Sequence, residues 1–122
     1  MAKVAGVRSR LREFALGLPG AHEDFPWGDR VIKVNKKVFV FLGTDLEADS
    51  GGMSVKLTDS HDQALGLDGA EPTGYGLGRA GWVSVPLRSK GVKADVLCDW
   101  IEESYRIIAP KRLVAELDGR VG

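Results

Sequence analysis

Two stretches of helical periodicity stand near the ends of this chain, and the segments between them alternate with a period of two or break on glycine. In residues 4–18 the apolar side chains are Val4, Val7, Leu11, Phe14 and Leu18, a 3-4-3-4 spacing that keeps them on one helical face. Pro19-Gly20 stops that helix. Residues 92–108 form the second long helix, with Leu97, Ile101, Ser104 and Ile108 on one face and Trp100 and Tyr105 at its flanks. Pro110 ends it and starts a short terminal helix running through Leu117. Helices at both ends are placed to cover one face of whatever sheet the middle of the chain builds.

The middle reads as strands. Val31–Val34 and Val38–Leu42 are β-branched and aromatic, with Asn35-Lys36-Lys37 between them, which predicts a hairpin lacking the Asn-Gly turn of the strongest ones. Met53, Val55 and Leu57 alternate with Ser54 and Lys56 as in a strand with one buried face. Thr58-Asp59-Ser60 offers caps for a short helix at 60–66. Trp82–Leu87 alternates again, and Pro86, lacking an N–H, puts this strand at an edge or ends it. Residues 22–29, 43–52 and the glycine-rich 69–81 read as loops. The expected fold is a single α+β domain over 1–122. It has an antiparallel sheet of about four strands, with the N-terminal helix and the long C-terminal helix packed on it.

Charge excludes some functions. Lys plus Arg and Asp plus Glu both total 17, so neither a strongly basic coat for nucleic acid nor an acidic tail is present. The neutral total hides a segregation. Residues 1–12 hold Lys3, Arg8, Arg10 and Arg12 without an acid, and residues 72–94 hold Arg79, Arg88, Lys90 and Lys93 without one, whereas 45–71 carry seven acids and Lys56. If the basic segments meet in space they make a phosphate-facing patch; if not, they are solvated faces. The longest uncharged apolar run, Val38–Leu42, is far short of the roughly 20 residues of a membrane helix. No signal-like apolar core follows the basic start, so the expected location is cytoplasmic and no membrane partner is expected.

The chemical motifs are weak. Gly76-Leu77-Gly78-Arg79-Ala80-Gly81 matches the dinucleotide fingerprint in letters, but a strand follows it where a helix is required. His22 and His61 stand apart without metal-ligand spacing, and no metal or cofactor is expected. Ser54, Ser84 and Ser104 lack a nucleophile-elbow context, and the lone Cys98 reads as a buried structural thiol. Glu23-Asp24 offers carboxylates for acid–base work, although loop carboxylates more often cap turns or pair with cations. Trp27, Tyr75 and Trp82 sit near charges in or beside turn-rich segments, as stacking aromatics or as lids on the core.

Four stretches carry a family likeness. They are Leu18-Pro19-Gly20-Ala21 followed by Glu23-Asp24-Phe25-Pro26-Trp27-Gly28, then Val31–Val34 leading into Val38–Phe41, then Met53–Leu57, and finally Tyr75, Arg79 and Trp82 with the later Glu103-Ser104-Tyr105-Arg106. Over residues 7–117 the chain resembles the MmcQ/YjbR family of small bacterial proteins. The resemblance implies an antiparallel α+β fold similar to the double-wing DNA-binding domain of the phage transcription factor MotA, and with it DNA binding and no enzymatic activity. The loop Tyr75–Trp82 departs from the family pattern: it keeps Tyr, Arg and Trp but lacks its two His, Asn and Lys.

The resulting expectation is a non-catalytic binding module, by default monomeric. Its leading partner is duplex DNA, held weakly and with strong salt dependence through Lys33, Lys56, Arg79 and Trp82, extended by Arg8 and Arg12 one helical turn apart. The alternative is a small-ligand or protein-interaction module using Glu23, Lys56, Tyr75 and Arg79 around a pocket, and a lower-ranked one is an enzyme with Glu23 as base.

Overall fold

The structure, a computed structural model, describes residues 4–25, 29–43, 52–74, 77–87 and 93–120. The elements in chain order are α1 (Val4–Leu16), β1 (Ala21–Asp24), β2 (Arg30–Val34), β3 (Lys37–Gly43), β4 (Gly52–Lys56), α2 (His61–Leu65), β5 (Glu71–Pro72), a 3₁₀ turn (Leu77–Ala80), β6 (Trp82–Pro86), α3 (Ala94–Ile108) and α4 (Lys111–Gly119). The strands form one antiparallel sheet in the order β1-β2-β3-β4-β6-β5.

The sheet therefore has six strands rather than about four. β1 was hidden in a stretch that reads as a loop because its inward positions are Ala21 and Glu23, not two large apolar residues. β5 was hidden because two residues carry no period. β6 ends at Pro86 as its missing N–H requires, but it is not the outermost strand: β5 pairs with Val83 and Ser84.

The hairpin lies where the β-branched runs place it. Asn35 and Lys36 both have positive φ, 51° and 68°, the primed turn whose twist suits a two-residue connection. Lysine in that region is strained by roughly 1–2 kcal/mol, and glycine gives part of this back as unfolded-state entropy. Lys36→Gly is thus expected to raise stability by about 0.5–1 kcal/mol, read as a higher urea midpoint at constant slope. A lower midpoint would contradict it.

α1 and α3 pack on each other and on one face of the sheet, with α2 beside β6. The core joins Leu11, Ala15 and Leu18 from the N-terminal segment to Ile32, Val40, Val55 and Val83 from the sheet and to Leu97, Ile101 and Tyr105 from α3. The buried stripe of α1 is turned slightly from the expected one: Arg8, Leu11 and Ala15 are fully buried, and Val7 and Phe14 lie at its margins.

α3 is tied to the sheet by consecutive polar side chains. The register β3 shares with β4 would set Phe39 opposite Lys56, but the ladder stops at Val40 and Val55. Ser104 fills the gap: its hydroxyl accepts the Lys56 N–H at 3.0 Å and donates to the Phe39 carbonyl at 2.6 Å. Glu103 accepts the N–H groups of Thr58 and Ser60 and the Ser60 hydroxyl, so Ser60 does not cap α2 with its own side chain. Tyr105 donates its hydroxyl to the Pro19 carbonyl at 2.7 Å and meets Phe39 edge-on. Gly20, at φ 72°, turns the chain beneath α4, where an added Cβ would meet Leu113 at 2.9 Å.

Cys98 is 7% exposed and burial pushes its thiol pKa up. It is expected to react slowly with a thiol reagent in the native protein and rapidly after unfolding; fast native labelling would show an accessible thiolate.

Candidate functional site

Because side chains alternate across a strand, the residues between the core positions point to the face of the sheet away from α1 and α3. One cross-strand row runs Val31, Phe41, Ser54, Ser84, Glu71 over β2, β3, β4, β6 and β5. Its outer part lies along a hollow of about 510 Å³. That is the size of pocket that accepts small organic molecules. Leu77 and Pro86 add apolar wall, Thr73 a further hydroxyl, and Asp29 a second carboxylate at the rim.

The middle of the row is polar and internally bonded. Ser54 Oγ lies 2.9 Å from Ser84 Oγ, which lies 3.0 Å from Thr73 Oγ1. Gly52 brings β4 close to β6 at one end: an added Cβ would stand 2.2 Å from the Val85 carbonyl oxygen. The sequence shows Ser54 and Ser84 only as ordinary polar members of two alternating strands. Thirty positions separate them, and register alone joins them.

The residues nominated for DNA do not line the hollow and are mostly occupied. Arg8 is 2% exposed within the fold. Arg12 forms a two-point ion pair with Glu23 at 2.6 and 3.0 Å. Lys33 binds Asp24 at 2.7 Å. Trp82 is 7% exposed and packs edge-on against Phe41. Lys56, half-buried, and Arg79, exposed, have no ion-pair partner among the described residues, and they flank Trp82 at one end of β4 and β6.

The alternative set does not form one pocket. Glu23 sits under α1, away from Lys56 and Arg79, and Tyr75 lies outside the described residues, as do Trp27, Arg88 and Lys90. Glu23 also accepts a hydrogen bond from Arg30. The Arg12 and Arg30 guanidiniums hold its carboxyl at a pKa of about 2. Such a carboxylate is a weak proton acceptor near neutral pH. Arg30 in turn lies 4.7 Å from the Phe25 ring centre. Among the described residues no three His, Cys, Asp or Glu side chains converge on a metal-sized site, and no helix is long and apolar enough to cross a membrane.

The fold and its open hollow describe an α+β domain in which the candidate site is built by strand register rather than by a catalytic loop. The YjbR family model matches residues 16–107, from the end of α1 through nearly all of α3, and the chain belongs to that family. No curated protein matches the sequence.

Proposed function

We propose that this YjbR-family domain is a non-catalytic binding module that takes a small organic molecule in the hollow on the open face of its sheet. The carrying observation is the row Phe41, Ser54, Ser84, Glu71, which lays an aromatic ring, two hydroxyls and a carboxylate along one concave wall. Apolar walls with a few placed polar groups are what small-ligand sites consist of. A screen of small molecules against the isotopically labelled chain, read by amide shifts, is expected to give hits whose shifts cluster on Phe41, Ser54, Thr73, Leu77 and Ser84. Hits scattered over the surface would defeat the reading.

A second reading, duplex DNA, is favoured by Lys56 and Arg79, which have no ion-pair partner among the described residues and lie near Trp82 in the chain or ladder. With so few phosphates in reach, affinity belongs in the non-specific range, on the order of 10⁻⁴–10⁻⁶ M, and falls steeply with salt. Fluorescence anisotropy of a labelled duplex in ~50 mM salt tests it, with Arg79→Glu weakening all sequences alike. No binding at high protein concentration would remove DNA as a partner.

A further inference from the structure

The hydrogen-bonding inventory of the hollow is unbalanced. Three hydroxyls bring three donors and six acceptor lone pairs. The two contacts Ser54–Ser84 and Ser84–Thr73 use two donors and two lone pairs. Among the described residues, one donor and four acceptor positions remain. Asp29 and Glu71 add two ionisable carboxyl groups, which only accept when ionised, and among the described residues no Lys, Arg or His lines the hollow. The wall thus offers mainly acceptors and negative charge. An anionic ligand meets repulsion there, while a donor-rich cation completes the inventory.

Shape adds to this. Phe41 and Glu71 stand three strand spacings apart in the same row. That separation is about 14 Å at the usual distance between strands. A molecule lying along the row meets the Phe41 ring at one end and the hydroxyls and the Glu71 carboxylate toward the other, with Leu77 and Pro86 adding apolar wall on the β6–β5 side.

We propose that the hollow selects a small organic amine in its ammonium form, its apolar body against Phe41 and its N–H donors directed to the hydroxyl row and Glu71. This rests on the hollow being the ligand site, and the test separates the two claims. The full chain is titrated with 2-phenylethylammonium, 2-phenylethanol and 3-phenylpropionate, which share a ring and differ in the charge of the end group, and amide shifts are followed at Phe41, Ser54, Thr73 and Ser84. The ammonium is expected to bind about three- to tenfold more tightly than the alcohol, and the carboxylate more weakly than either. In the double variant Asp29→Asn with Glu71→Gln, both exposed positions, the preference for ammonium over alcohol should fall to about one. Equal or tighter binding of the alcohol or the carboxylate, or a preference unchanged in the double variant, overturns the amine and leaves the hollow as a site. Failure of all three probes to shift the row overturns both.

Discussion

Ile101→Ala is expected to lower the unfolding free energy by about 2–5 kcal/mol, with an unchanged denaturant slope. Ile101 is fully buried in the middle of α3, within the cluster that also holds Leu97, Tyr105, Val40 and Val55. Truncation removes three carbons from contact and leaves a hole that sheet and helix close only in part, because Ser104 and Tyr105 tie α3 to Phe39 and Pro19. Domains of this size are stable by only about 5–15 kcal/mol, so a single such change removes a large share of the total. A loss well under ~1 kcal/mol would place Ile101 at the surface and break the register of α3.

Acidification from pH 5 to pH 2 is expected to remove the stabilisation that the Glu23 ion pairs supply. Glu23 has its pKa lowered from 4.5 to about 2 by Arg12 first and also by Arg30. A group with a depressed folded pKa stabilises fully above its unfolded pKa and loses that stabilisation as pH falls through the folded value. The drop corresponds to about 3 kcal/mol, an upper figure because the Arg12 side chain is 32% exposed and its pairing is screened by water. Urea melts at intervals between pH 5 and pH 2 should show the wild type losing stability faster than Glu23→Gln, which is the less stable of the two at pH 7. Parallel curves would mean that Glu23 is not held by the two guanidiniums in solution.

Many of the described residues that carry the family likeness serve the fold. Leu18 plugs the core, the Pro19 carbonyl receives Tyr105, and Gly20 makes the left-handed turn under Leu113. Glu23 and Asp24 are spent on Arg12, Arg30 and Lys33. Glu103, Ser104 and Tyr105 fasten α3 to three different segments, and Arg106 binds Glu102 and Asp118. A recognisable motif here reports how the chain folds. It also accounts for cations that look available in the sequence and are neutralised in the structure: a residue list shows Arg12 and Lys33 as charges, not their partners.

Periodicity and turn chemistry were enough to place both long helices, the β2–β3 hairpin, the alternating strands β4 and β6, and the burial of Leu97, Ile101 and Cys98, because these depend on neighbours within a few positions. The strands β1 and β5 were not legible. One buries a carboxylate whose partners come from α1 and β2, and the other is too short to have a pattern. The hollow was not legible either. Ser54, Thr73, Ser84 and Glu71 acquire their meaning only when β4, β5 and β6 pair, and pairing between segments up to 30 residues apart is set by the packing of the whole sheet against α1 and α3. What the sequence determined by itself is local conformation and the burial of positions such as Leu11, Leu97 and Ile101 that sit at the centre of a periodic stripe. The tertiary structure alone decided which charges are cancelled and which hydroxyls share a wall, since both are properties of distance in space.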